Sequence, residues 1–293
     1  MDPQAKLGFI GTGVMGEPMC RNLARKSGAS VVAFDARGEP LERLAADGVR
    51  TAASPAEVGA AADIVFLCLP GGPQVREVCL GTGGLVGRLR RGQILVDMST
   101  SPPALARELA QACRGRDAQF ADAPVARTRE AAQSGTLSIM VGGDASVLER
   151  LRPYLACMGS DIMHCGPAGA GQVVKLVNNL VVCQNVAVLA GALALGTRAG
   201  IDGALLLDTL SKGSADSFAL RNHGLKSLLP GHYPERAFSV EYMLKDLGYA
   251  LDLADDLGLK LETAEQARTL YRRAAERGLG SLYFPVVRRV IEA

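Results

Sequence analysis

The 293-residue sequence has no C-x-x-C pair, no tryptophan, no excess of either charge and no uninterrupted apolar run of membrane-spanning length. Its seven cysteines stand singly at Cys20, Cys68, Cys79, Cys113, Cys157, Cys165 and Cys183, and only His164 adjoins one of them. An odd, unclustered set argues against a disulfide framework and against a zinc site, so no metal is expected and a reducing, cytoplasmic setting is the simplest reading. The 32 Lys and Arg exceed the 30 Asp and Glu by only two, too little for the basic field of a nucleic-acid or anionic-membrane binder. The longest apolar stretch near the middle, residues 186–196, is shorter than the roughly 20 residues of a spanning helix. Residues 1–6 are polar and lead straight into an apolar strand, which leaves no room for a signal peptide. The missing tryptophan excludes nothing.

What remains is an ordinary globular composition, 48% hydrophobic and 21% charged, long enough for about two domains. Glycine is high, at 34 residues, which predicts tight turns and close backbone approaches. Short apolar runs at 7–10, 30–35, 64–69, 94–98, 119–122, 138–141 and 161–164 read as strands. Amphipathic stretches at 17–25, 73–78, 103–113 and 145–155 alternate with them, the pattern of βαβ units around a parallel sheet. After Gly166-Pro167-Ala168-Gly169 no convincing strand follows. One long helix is predicted over 171–198, then others near 202–211, 239–257, 262–277 and 283–291. The predicted boundary lies near residue 167, with an α/β half at 1–167 and an all-helical half at 168–293.

Gly11-Thr12-Gly13-Val14-Met15-Gly16 is a G-x-G-x-x-G that follows a strand and opens a helix. Such a loop turns tightly at the first glycine, admits a pyrophosphate at the second and packs helix on strand at the third; it also occurs as a plain turn. Asp35 ends the second strand at the spacing of a ribose-binding acid, which favours NAD over NADP. Arg37, two residues on, could instead pair with a 2′-phosphate. On the long helix, Lys175, Asn178 and Asn179 share one face among apolar neighbours. A desolvated lysine there suits a general acid/base for carbonyl and hydroxyl chemistry, and a lysine snorkelling from a surface helix is the plainer alternative.

Together these motifs resemble the β-hydroxyacid dehydrogenase family, which includes 3-hydroxyisobutyrate dehydrogenases and tartronate semialdehyde (2-hydroxy-3-oxopropionate) reductases. The resemblance spans the chain. It is carried by the strand and glycine loop at 8–19, Asp122-Ala123-Pro124-Val125, Gly135-Thr136-Leu137 with Gly142-Gly143, the Gly169–Asn179 string, and Lys245-Asp246-Leu247. It implies a Rossmann-like domain followed by a helical one, a homo-oligomer, and an active site in the cleft between the domains. It implies Lys175 as catalytic acid/base and Asn179, beside Asn178, as substrate holder. Thr100 is implied on the nicotinamide side, Leu69 and Pro70 as backbone contacts to the dinucleotide, and Lys245 near the cofactor. Without the resemblance, Thr100 reads as a helix cap and Lys245 with Asp246 as a solvated ion pair.

The family commonly has Ser-Gly-Gly after Asp-Ala-Pro-Val, where the substrate carboxylate binds. Here Ala126, Arg127 and Thr128 stand instead. Arg127 offers a fork for an anion and Thr128 a hydroxyl, a pair similar to that of sulfolactaldehyde reductases, although a carboxylate also fits. Arg127 pairing with Glu130 is the structural alternative. The expected activity is NAD(P)-dependent hydride transfer with a small hydroxy acid or semialdehyde. Imine reductases and 6-phosphogluconate dehydrogenases share the architecture but carry other residues at the Lys175 or Asn178 positions. A non-catalytic dinucleotide-binding module would have lost the lysine.

Overall fold

Alternating apolar residues sort the central strands onto two buried faces. The computed structural model describes residues 5–235 and 237–293; residues 1–4, part of the N-terminal reading above, lie outside the described residues. Among these, nine strands form one sheet: β1 (Lys6–Ile10), β2 (Ser30–Phe34), β3 (Arg50–Thr51), β4 (Ile64–Leu67), β5 (Ile94–Asp97), β6 (Gln119–Asp122), β7 (Val125–Ala126), β8 (Leu137–Gly143) and β9 (Gly159–Gly166). Their order is β3-β2-β1-β4-β5-β6-β8-β7, with β9 on β8. From β3 through β6 all pairs are parallel. β8 then runs antiparallel to β6 and β7, and β9 parallel to β8.

Leu7, Phe9, Phe66 and Val96 enter one core with Met19, Leu23 and Leu151 from covering helices. Ile10, Val65, Leu67 and Leu95 enter the other with Val58, Val75 and Leu105. Coverage on both faces explains why these strands read as continuous apolar runs. The order reverses about β1, whose neighbours are β2 and β4, so the loops leaving the carboxyl ends of β1, β4 and β5 lie along the edge where such sheets bind dinucleotides.

The chain divides into two compact units, the first ending at Lys175 and the second running from Leu176 to Ala293. This is eight residues later than the boundary read from the sequence. The first turns of the long helix, Ala170–Arg198, pack on the sheet: a Cβ on Gly171 would collide with the Met140 carbonyl. The second unit is helical, around a core that includes Cys183, Val186, Leu193, Leu247, Tyr271 and Phe284. By length and a mean hydropathy of 1.8 the long helix could cross a bilayer, which the 186–196 stretch alone did not suggest. Yet its inward stripe carries Gln172, Lys175 and Asn179 before the core residues.

The sequence pattern misses the two-residue strands β3 and β7 and four short helices, Gly38–Ala45, Pro55–Ala61, Leu85–Arg88 and Arg129–Ser134. It also misses the π-helix Leu220–Leu228. The segment expected as one helix over 283–291 begins as a 3-10 turn, Phe284–Val287, with Pro285 in its first turn, and continues as the short helix Arg288–Ile291. All seven cysteines are free thiols. Burial pushes those of Cys20, Cys68, Cys113 and Cys183 up to about 12.

Candidate active site

The glycine loop leaves β1 in a conformation only glycine adopts readily. Gly11 has φ 92°, and its N–H donates to the Phe34 carbonyl at 2.9 Å. A Cβ on Gly16 would collide with the Gly11 carbonyl oxygen, so the third glycine lets the helix Gly16–Ser27 start against its own loop. Gly13 is open: only the Arg37 guanidinium, at 3.6 Å, comes near a Cβ built there. That is the cradle a pyrophosphate needs. Val14 is exposed, and Met15 packs against the core.

Asp35 follows β2 and closes on this loop. Its Oδ2 accepts from the Thr12 N–H at 2.6 Å and the Thr12 hydroxyl at 3.2 Å. Its Oδ1 accepts from the Arg37 N–H at 2.9 Å and from Arg37 Nε at 3.3 Å. Burial pushes the Asp35 carboxyl up, but these donors outweigh it and hold the group below the usual carboxylate range. An ionised acid therefore stands beside the cradle, with the exposed Arg37 head over it.

Leu69 and Pro70 follow β4, and Thr100 follows β5. Thr100 does not cap the next helix, Pro103–Arg114, whose cap position is Pro102. The Ser99 hydroxyl accepts from the Leu69 N–H at 2.9 Å, which ties the loops after β4 and β5 together. Asp97 holds the second loop from beneath: Oδ1 accepts from the Ser99 N–H at 2.9 Å and Oδ2 from the Ser101 hydroxyl at 2.8 Å.

The start of the long helix is bound to the same loop. Asp122, at the end of β6, accepts from the Gly169 N–H at 2.7 Å and the Gln172 N–H at 2.8 Å. Burial raises its carboxyl to about 6, against the pull of these donors. The Gln172 side chain donates to the Ser99 carbonyl at 2.8 Å and accepts from the Ser101 N–H at 3.1 Å. Lys175, one turn further on, is buried at 8% exposure, which removes the reading of a lysine snorkelling from a surface helix.

Within the second unit, Asn178 Nδ2 donates to Asn179 Oδ1 at 3.0 Å, and Asn179 Nδ2 donates to Asp246 Oδ2 at 2.6 Å. The Lys245 ammonium lies 2.7 Å from the other Asp246 oxygen and 5.2 Å from the Tyr249 ring centre. Asp246 is 1% exposed, so the pair is not the solvated one that spacing alone suggested. It is a buried carboxylate that orients an amide and an ammonium. Asp122, Gln172 and Asp246 hold these elements through contacts that the sequence did not assign to them. A polar residue inside an apolar run was the available signal for each.

The loop Ala126-Arg127-Thr128 departs from expectation. Arg127 Nη1 donates to the Thr136 carbonyl at 2.6 Å and to the Ser160 hydroxyl at 3.0 Å, and Nη2 pairs with Asp161 at 2.7 Å. The fork is closed on β9 and on the residue before β8, not held open for an anion. The backbone of Arg127 has φ 85°, the left-handed region that a glycine adopts without strain. Thr128 caps the helix Arg129–Ser134, its oxygen accepting from the Ala131 N–H at 3.4 Å.

Residues 6–166 match the NAD binding domain of 6-phosphogluconate dehydrogenase, and residues 169–288 the NAD-binding domain of NADP-dependent 3-hydroxyisobutyrate dehydrogenase. The chain is 35% identical to 2-(hydroxymethyl)glutarate dehydrogenase of Eubacterium barkeri, over 96% of this chain and 92% of that one. It is also 35% identical to 2-hydroxy-3-oxopropionate reductase of Escherichia coli, over 93% and 92%. Among solved structures, 3-hydroxyisobutyrate dehydrogenase of Mycobacterium tuberculosis with L-serine superposes with a TM-score of 0.88 at 32% identity, over 99% of this chain and all of that one.

Proposed function

The chain belongs to the β-hydroxyacid dehydrogenase family of NAD(P)-dependent oxidoreductases, and from that premise we propose that Lys175 is the acid/base of hydride transfer with a small β-hydroxy acid or its semialdehyde. Bound NAD(P) supplies the hydride acceptor or donor at nicotinamide C4. In oxidation, neutral Lys175 takes the proton from the substrate hydroxyl as that carbon becomes a carbonyl. In reduction the protonated amine returns it to the oxygen. Asn179, held by Asp246 and flanked by Asn178, orients the substrate, and Lys245 contributes positive charge toward the cofactor. The loop 126–128 meets the acid group through its backbone N–H groups.

Gly11, Thr12, Gly13, Val14, Met15 and Gly16 would hold the pyrophosphate. Asp35, with Arg37, would take the adenosine ribose, and Leu69, Pro70 and Thr100 the nicotinamide half. The ionised Asp35 favours NAD. The observation that carries the reading is a buried lysine on a largely apolar helix, one turn before Asn179.

We further infer a cytoplasmic homodimer or homotetramer. Exposed Val181, Val188 and Leu195 on the long helix support this, since such apolar area is normally covered.

The test is turnover of 3-hydroxyisobutyrate, L-serine and 2-(hydroxymethyl)glutarate with NAD, and of 2-hydroxy-3-oxopropionate with NADH. Lys175→Ala loses about 1000-fold or more in kcat while NADH binding persists. Near-normal turnover in that variant would remove Lys175 from the chemistry.

A further inference from the structure

Thr100 sits between two serines that are each held twice. Ser99 is bound through its N–H by Asp97 and through its carbonyl by Gln172. Ser101 is bound through its hydroxyl by Asp97 and through its N–H by Gln172. Gln172, Asp97 and Ser101 are fully buried and Ser99 is 3% exposed, so water does not substitute for these bonds. The amide of Gln172 uses its donor and its acceptor on the two peptide groups that bracket Thr100. A glutamate there would offer both only when protonated.

The main chain of Gln172 is fixed as well. Asp122 accepts its N–H and that of Gly169, so the first turn of the long helix is pinned to the end of β6. Gly142 and Gly171 make room for this, because a Cβ on either would press into the Asp122 carboxylate. Lys175 is three residues beyond Gln172 on the same helix, one turn up the same face.

We propose that Gln172 is a positioning residue that fixes the Thr100 loop relative to Lys175, so that the nicotinamide-side loop and the acid/base move as one rigid piece. The proposal rests on the reading of Lys175 and Thr100 given above. It extends that reading to a residue that touches neither substrate nor cofactor. Hydride transfer depends on sub-ångström placement of its partners, so loosening this joint slows the chemical step and leaves the dinucleotide cradle at Gly11–Gly16 intact.

The informative variant is Gln172→Met, which keeps length and volume and removes both hydrogen bonds. Gln172→Glu keeps an acceptor for the Ser101 N–H and recovers part of the loss. Two measurements are paired. Amide hydrogen exchange at Ser101 rises at least about tenfold in Gln172→Met, read without substrate or cofactor. With the best substrate of the panel above, kcat falls on the order of 10- to 100-fold, and KM for the dinucleotide changes less than about threefold. Over the same change, the primary isotope effect with NADH deuterated at C4, or with substrate deuterated at the reacting carbon, rises.

A residue that merely stabilised the fold would lower the melting temperature and leave the isotope effect and the kcat-to-KM pattern alone. That result overturns the proposal, as does unchanged Ser101 exchange. A wild type inactive on the whole panel would instead remove the parent reading of function, and Ser101 exchange would still report whether Gln172 holds the loop.

Discussion

Replacing Arg127 by glycine and by alanine separates the strain in its backbone from the tether made by its side chain. At φ 85° a residue with a Cβ stores about 1–2 kcal/mol that glycine does not. The guanidinium offsets this through Asp161, Ser160 and the Thr136 carbonyl. Arg127 and Asp161 are 37% and 51% exposed, so the ion pair is worth roughly 0–1 kcal/mol. The two further hydrogen bonds add about 1 kcal/mol between them in that setting. Both variants lose the tether, about 1–2 kcal/mol. Only alanine keeps the strain, while glycine gives back part of its gain through the more flexible unfolded chain. The net expectation is that Arg127→Ala is less stable than Arg127→Gly by about 1 kcal/mol, or roughly 2–4 °C in Tm for a chain of this size. Thermal unfolding by calorimetry measures the difference. Since the fork is closed on Asp161, kcat/KM for a carboxylate substrate falls less than about tenfold in both. An equal loss of 100-fold or more in both variants, with no difference in Tm, would refute the reasoning. It would mean that the guanidinium leaves Asp161 to grip the substrate anion.

Two further outcomes follow from the same groups. Asp35→Asn keeps an acceptor for the Thr12 N–H but removes the charge that opposes a 2′-phosphate under Arg37; the ratio of kcat/KM for NADP to that for NAD rises about tenfold or more, and an unchanged ratio in steady-state kinetics would dismiss Asp35 as the discriminating acid. Burial raises the Asp122 carboxyl from its ordinary 3.8 to about 6, so between those values the folded chain binds more protons than the unfolded one. Its contribution is fully present below pH 4 and is lost as pH rises through 6. Wild type therefore gains on Asp122→Asn as pH falls from 7.5 to 5, by about 1.4 kcal/mol. A gap in Tm between the two that stays constant or closes over that range would contradict it.

The strands and long helices were readable because their cores demand an apolar period that nothing else in the chain imitates. β3 and β7 were not, since two residues such as Arg50–Thr51 are too few to show a period, and neither was the short helix Arg129–Ser134. The glycine loop, Asp35 and Lys175 were legible from spacing. Gln172 was not, because its role depends on meeting Ser99 and Ser101 some seventy residues away. Arg127 could be read only as a charged group near an anion site. Its Asp161 partner comes from a strand that pairs alongside β8, a neighbour no local pattern reveals.

The thiols carry a practical consequence. A group whose pKa stands near 12 is ionised on the order of one part in ten thousand at pH 8, and the thiolate is the species that oxidants and alkylating agents attack. Cys20, Cys113 and Cys183 are buried and shifted that far, and Cys20 lies on the helix that follows the glycine loop. That helix thus carries a sulfur that peroxide and iodoacetamide reach only when the first unit opens. Resistance of Cys20 and Cys113 to labelling becomes a clock for unfolding of the first unit, and that of Cys183 a clock for the second, both running without any substrate in the tube.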